Sequence, residues 1–204
     1  MKLYFTPFAC SLASRIAVEE AGLDADYVQV LPGRKLPDGG DFLDISPMGY
    51  VPALETKSGI TLTEGPAVLQ YIADNAEEGV LAPALFSEER YRMQLWLNFV
   101  STEVHKAVFA VLFAKNASDA EKEAAHGRIA QPFAVLSKHL ESREHLGAGF
   151  TVADAYLLAV LNWCETAGVD IAAWPVLLNY RTQLRKRPSV MRAMAAEMPL
   201  LKAA

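Results

Sequence analysis

The hydrophobic periodicity of the chain changes once, near residue 80, and that change restricts the fold more than any other feature. Before it, short strand-like runs alternate with helical ones; after it, every strong pattern has helical spacing. Lys2–Phe5 is a short apolar run closed by Thr6-Pro7, which predicts a first strand. Leu12, Ile16, Ala17 and Ala21 then recur at helical spacing over Ser11–Ala21, and Gly22 is a natural stop. Tyr27–Leu31 alternates around Val28 and Val30 and predicts a second strand, followed by a Pro- and Gly-rich loop from Pro32 to Gly40. Val51–Glu55 and Ile60–Thr63 flank Lys57-Ser58-Gly59 and read as a hairpin. Pro66 suits the first position of a helix, where its missing N–H would have no partner in any case. That helix carries Val68, Leu69 and Ile72 and ends near Asn75.

The resulting order is β-α-β, a connecting segment, then β-β-α, which is a thioredoxin-like α/β arrangement. Asn75–Pro83 reads as a linker. Beyond it lie a long helix over Glu88–Val104, with Tyr91, Leu95, Trp96 and Phe99 on one face, and Val108–Lys115 continuing it after an irregularity. Ala120–Leu140 is a second long helix that Pro132 should kink or break. Thr151–Ala167 is the most apolar segment and should be buried on most sides. Pro175–Arg187 and Ser189–Glu197 complete the set. The expected organisation is a thioredoxin-like N-terminal domain over residues 1–79 and an all-α C-terminal domain over residues 86–204.

A hydrophobic fraction of 52% with 21% charged residues excludes intrinsic disorder. Lys plus Arg is 19 against 24 Asp plus Glu, so the net charge is −5. This lacks the basic excess of a nucleic-acid binder or of a protein drawn to anionic membranes. The longest apolar runs, Ala107–Ala114 and Ala155–Leu161, fall far short of the ~20 residues of a membrane span. Cys10 and Cys164 make no disulfide framework, and no Cys/His spacing suggests a metal. The start has no apolar signal region. Together with sparse cysteine, this points to a cytoplasmic protein.

Five features carry chemistry. Cys10 stands between the first strand and the first helix, where unpaired N–H groups and the helix dipole should lower its pKa; the plainer alternative is an inert buried thiol. Ser11 beside it either donates to a bound sulfur or caps the helix. Pro52 at the mouth of an apparent central strand is unusual: either a cis Val51–Pro52 bond exposes the Val51 backbone to an extended peptide, or the proline simply enters the strand. At Glu64-Gly65-Pro66, Gly65 permits close approach to a helix N-terminus that attracts a carboxylate, while Glu64 attracts an ammonium; a turn with an exposed acid is the alternative. Thr151-Val-Ala-Asp154 is a capping box and a folding signal. In Ser101–Lys106, His105 and Lys106 either reach a cleft between the halves or form a solvated face, and Cys164 reads as core packing.

In combination, Tyr4–Ser11, Ser46–Leu54, Leu62–Ala67 and Phe150–Tyr156 make the chain resemble a glutathione S-transferase, and Cys10-Ser11 with Glu-Gly-Pro resembles the bacterial beta class. The resemblance implies a homodimer that binds glutathione and an apolar electrophile. It implies that Val51, before a cis Pro52, pairs with the cysteinyl part of glutathione. Glu64 would hold the γ-glutamyl ammonium and Gly65 would receive its carboxylate. Lys35 would reach the glycyl end, His105 and Lys106 would face the thiol, and Trp163 would back the cleft. Many relatives carry Ser where Gly65 stands, so one hydroxyl donor is missing here. The activity implied is conjugation of the glutathione thiol, with Cys10, Ser11 and His105 acting on the sulfur. Because Cys10 replaces the Tyr or Ser of other classes, thiol–disulfide exchange through a Cys10–glutathione mixed disulfide is an alternative. A non-catalytic binding protein on the same scaffold is another.

Overall fold

A computed structural model describes residues 1–201. The strands β1 (Lys2–Phe5), β2 (Asp26–Gln29), β3 (Ala53–Glu55) and β4 (Thr61–Leu62) form one mixed sheet in the order β2-β1-β3-β4. β1 runs parallel to β2 with Leu3 opposite Tyr27, and antiparallel to β3 with Leu3 opposite Leu54. The parallel pair is joined through α1 (Ser11–Ala21), which ends as expected at Gly22. Gly22 takes a φ of +61°, and its N–H reaches back to Val18 O. The hairpin is shorter than the alternation predicted: β3 begins after Pro52, which has no N–H for a ladder. α2 (Gly65–Asp74) starts one residue ahead of Pro66 and buries Val68, Leu69 and Ile72.

The helical half begins with α3 (Glu88–Phe99), capped by Ser87, whose hydroxyl accepts from the Arg90 N–H. Of its apolar face, Trp96 and Phe99 pack partly buried against the core. Arg90, Met93 and Leu97 point inward, while Tyr91 and Leu95 are 58% and 57% exposed. Arg90 is buried because its guanidinium is occupied: it bonds Asp74 at 2.6 Å and Pro83 O at 3.3 Å, tying the linker to α2. The expected irregularity is a π-helix over Val100–Phe109, continued by one turn, α4 (Ala110–Leu112). The second long helix is divided into α5 (Asp119–Arg128) and α6 (Ala130–Leu140). The break falls at Ile129, and Pro132 occupies the first turn of α6, where a proline disturbs least. α7 (Val152–Leu161), α8 (Pro175–Leu184) and α9 (Pro188–Leu201) follow; α9 runs past the expected end through Pro199.

All ten residues of α7 are buried, and they join Leu12, Ile16 and Leu69 of the N-terminal half in one continuous core. The capping box that opens α7 is present, and Asp154 does more than cap. Its carboxylate accepts from the N–H groups of Thr151 and Leu146 at 2.9 and 2.8 Å, and from the hydroxyls of Thr151 and Tyr180 at 3.1 and 2.7 Å. Burial raises this carboxyl above its ordinary value, and the four donors oppose that shift.

α1 is joined to α9 and the residue before it by two ion pairs, Glu20 with Arg187 and Glu19 with Arg192, and Glu20 also accepts from the Ser189 hydroxyl. Deeper in the same interface, Glu197 is fully buried. Its Oε2 accepts from the Phe8 N–H at 2.7 Å, and Arg15 stands 3.9 Å from Oε1. Trp163 Nε1–H donates to Phe8 O at 2.8 Å. Phe8, which carries a positive φ of 56°, is thus fixed on both sides by the helical half.

Candidate active site

A cleft at the carboxyl end of β1 is lined by Cys10, the Ser46–Pro52 loop, Thr63, Glu64, Gly65, Ser101, His105, Lys106 and Tyr156. Four local structures converge there. The thiol loop precedes α1. The Val51–Pro52 peptide is cis, in line with one of the two sequence readings. Glu64 takes a φ of +66°, rare outside glycine, and such strain clusters at functional sites. The π-helix brings Ser101, His105 and Lys106 onto the cleft wall, and π-type turns recur at functional positions.

Of the residues expected at the site, Cys10, Val51, Pro52, Glu64, Gly65, His105 and Lys106 come together. Ser11 and Lys35 do not. Ser11 is fully buried; its hydroxyl donates to Thr6 O and accepts from Thr6 N–H, both at 3.2 Å, closing the thiol loop. Its side chain has no donor left for a sulfur. Lys35 lies in the 32–40 loop, exposed, with Nζ 3.1 Å from Asp41 Oδ2. It pairs with Asp41 and is not among the residues lining the cleft.

Cys10 also departs from expectation. The α1 N-terminus and Lys106 both favour thiolate, but burial outweighs them and pushes the thiol up to about 11. The thiol is therefore protonated at neutral pH, and it donates to Val51 O at 3.0 Å. Burial, reinforced by the neighbouring Lys106 charge, brings His105 down to about 4, so its imidazole is neutral. His105 Nδ1 lies 2.7 Å from the Tyr156 hydroxyl, and its ring meets the Trp163 indole edge-on at 4.9 Å between centroids. Trp163 backs the cleft as expected; its indole also meets Phe109 and Phe113, an aromatic wall behind the imidazole.

Reading the sequence does not single out Tyr156 as a site residue. Burial raises its hydroxyl above the usual phenol range, which keeps it protonated beside Cys10 and His105. It sits two residues after the Asp154 cap, so the capping box that starts α7 also fixes which side chain reaches the cleft. Gly65 packs against this ring: a Cβ there would lie 3.7 Å from Tyr156, an ordinary contact.

Two backbone donors on the wall, Val51 N–H and Gly65 N–H, have no acceptor among the described residues. With the exposed Glu64 carboxylate and the Lys106 ammonium, they form a set of charges and amide donors suited to a zwitterionic peptide bearing a thiol. No group of three metal-ligating side chains occurs among the described residues.

A thioredoxin-like sheet with a cysteine ahead of α1, a cis-proline loop across from it and an all-helical second half defines a thiol-handling transferase fold. The comparisons agree on the family. The glutathione S-transferase N-terminal domain matches residues 9–75, and the C-terminal domain of that family matches residues 99–188. The chain is 35% identical to glutathione S-transferase GstA of Escherichia coli O157:H7 over 97% of this chain and 98% of that protein. It is similar to a sphingomonad glutathione S-transferase solved in complex with glutathione, at 46% identity and a TM-score of 0.92, covering 97% and 98% of the two chains. It is also similar to the bacterial beta-class glutathione S-transferase of Sphingomonas chungbukensis, at 44% identity, a TM-score of 0.92 and the same coverage. The chain belongs to the glutathione S-transferase family and resembles its bacterial beta-class members.

Proposed function

We propose that this transferase binds glutathione in the cleft and conjugates its sulfur to apolar electrophiles, with Cys10 acting as a hydrogen-bond donor rather than as the nucleophile. The observation that carries this reading is the Cys10 thiol turned onto Val51 O, to which it donates at 3.0 Å. A thiol held in that state is a poor attacker of disulfides, since exchange requires thiolate. It is a suitable partner for a thiolate arriving beside it, because it can turn its proton onto the incoming sulfur. The Ser11 backbone N–H at the head of α1 adds a second donor, and the Lys106 ammonium supplies positive charge near the same point.

The Val51 N–H and C=O pair with the cysteinyl backbone of glutathione in this scheme. Glu64 receives the γ-glutamyl ammonium, and the free Gly65 N–H meets the adjacent carboxylate. The cleft runs from Cys10 past Tyr50 and Val51 to Glu64 and Gly65, so the peptide would lie along it with its thiol at Cys10. The electrophile approaches along the aromatic wall of Trp163 and Phe113.

The division into a glutathione domain over 1–79 and an electrophile domain over 86–204 belongs to the same proposal, as do a homodimer, a cytoplasmic location and a detoxification role. Exposed Tyr91 and Leu95, beside a groove of about 1000 Å³ containing Trp96 and His139, support a second copy covering α3. Among the described residues no helix is long and apolar enough to cross a membrane.

The test is calorimetric titration with glutathione, followed by conjugation and thiol-exchange assays of Cys10→Ser and Cys10→Ala. Saturable binding, with conjugation better preserved by Ser than by Ala, supports the donor role. Absence of binding at millimolar glutathione rejects the cofactor. An exchange activity that exceeds conjugation and disappears with Cys10 rejects the conjugating reading.

A further inference from the structure

Lys106 is the cation whose field bears on the Cys10 thiol, yet among the described residues no carboxylate holds it. What lies against it is an aromatic ring. Lys106 Nζ stands 4.7 Å from the centroid of Tyr50, within the range of a cation–π contact. Tyr50 comes from the opposite side of the cleft, in the N-terminal half, immediately before Val51. Its position is built: the Ser46 hydroxyl donates to Tyr50 O at 3.1 Å, and the Gly49 N–H donates to Ser46 O at 2.7 Å. The ring itself is half exposed and closes no core. An exposed tyrosine fixed by its backbone, with its face turned to a lysine of the opposite wall, needs a reason other than packing.

We propose that Tyr50 is a positioning residue: its ring holds the Lys106 ammonium across the cleft, on the side of the Cys10 thiol. The Val51 loop and the π-helix are thereby clasped over the thiol from the two halves of the chain. The other groups that face Cys10 are Glu64 ahead of α2, Tyr156 on α7 and neutral His105 on the π-helix. Glu64 opposes thiolate and neither Tyr156 nor His105 is charged, so Lys106 is the only side chain among them whose charge favours it. A released lysine on a flexible four-carbon stem spends its time in water. An exposed cation–π contact shifts such a distribution about two- to fivefold toward the docked position.

The inference rests on Cys10 being the thiol of the proposed function, but glutathione is not needed to test it. Cys164 is fully buried, so iodoacetamide reads Cys10 in the intact protein. Alkylation rates are measured from pH 7 to 9 for the parent, Lys106→Met, Tyr50→Leu, Tyr50→Phe and the Tyr50→Leu/Lys106→Met double variant. Urea midpoints are measured alongside. Tyr50→Leu is expected to lower the rate about two- to fivefold at each pH, displacing the log rate line toward that of Lys106→Met. Tyr50→Phe, which keeps the ring face, recovers most of the loss. The double variant is no slower than Lys106→Met alone, because both changes remove one effect. A Tyr50→Leu line that overlays the parent while Lys106→Met falls overturns the proposal. So does a Tyr50→Phe line as low as Tyr50→Leu, which would assign the effect to the hydroxyl, or an additive double variant. Loss of glutathione binding in the calorimeter with these alkylation results intact would reject the proposed cofactor and leave the clasp standing.

Discussion

Replacing Glu197 by Gln should change how the stability of this protein responds to pH, and the structure sets both the sign and the size. Glu197 is fully buried, with one strong donor, the Phe8 N–H at 2.7 Å. Its second oxygen has no hydrogen-bond partner among the described residues, and the Arg15 guanidinium stays 3.9 Å away. Arg15 is drawn elsewhere, lying 4.1 Å from the Tyr27 ring centroid. Burial therefore prevails, and the carboxyl is pushed up from its ordinary 4.5 to about 7. An acid whose folded value lies above its unfolded value binds more protons when folded. Its stabilising contribution is complete below about pH 4.5 and is lost as pH rises toward 7. The gap between 4.5 and about 7 is worth about 3 kcal/mol.

The glutamine side chain cannot ionise, but its amide oxygen still accepts from Phe8. The difference in stability between the Glu197→Gln variant and the parent should therefore swing by about 3 kcal/mol in favour of the variant between about pH 4.5 and about pH 8. For a chain of this size that is about 6–12 °C in melting temperature. The assay is paired thermal melts and urea titrations of the two proteins across that range. Only the difference is interpreted, so every other titrating group cancels. Parallel pH–stability curves would refute the reasoning. They would mean that Glu197 is ionised throughout and that Arg15 compensates its burial despite the distance.

Gly65→Ser should tighten glutathione binding about tenfold by calorimetry. The added Cβ meets only the Tyr156 ring at 3.7 Å, and a hydroxyl bond to a charged group is worth about 1.5–3 kcal/mol. Unchanged affinity would place the γ-glutamyl carboxylate elsewhere. Asp154→Ala strips the acceptor from four donors, carried by Leu146, Thr151 and Tyr180, and should cost at least about 3 kcal/mol in urea unfolding. A loss under about 1 kcal/mol would show that water replaces the carboxylate. With His105 at about 4, the kcat/KM profile for conjugation should show no His105 limb between about pH 5.5 and about pH 8. An inflection near about 6.5 that vanishes in His105→Gln would contradict that environment.

Features that are legible in the sequence are those decided within a few residues. Gly22 ends α1 through its own backbone, and Thr151 and Asp154 meet across a single helical turn. Val51-Pro52 and Glu64-Gly65-Pro66 mark cleft walls because proline and glycine limit the backbone wherever they occur. Features that are not legible depend on partners far along the chain. The inward face of α3 is set by Asp74 accepting from Arg90, a pairing that periodicity does not register; the pattern instead selects Tyr91 and Leu95. Cys10 lies at a helix N-terminus that favours thiolate, but its acidity depends on burial, a tertiary quantity. Ser11 and Lys35 have suitable chemistry but are already committed, one to Thr6 and the other to Asp41. Tyr156 carries a usable signal, because a residue two places after a capping Asp faces a fixed direction once the helix is docked.

The two anchors on Phe8 also order events in time. The loop that presents Cys10 is held by Trp163 and by Glu197, the latter on α9. As the chain is synthesised, the β-α-β portion emerges first, with the Phe8 N–H and C=O still facing water. The thiol loop receives its last restraint only when α9 has been made and docked against α1. Cys10 is therefore translated well before α9, yet reaches its working geometry only once α9 is in place. A truncation of α9 should be felt at the thiol before it is felt in the sheet.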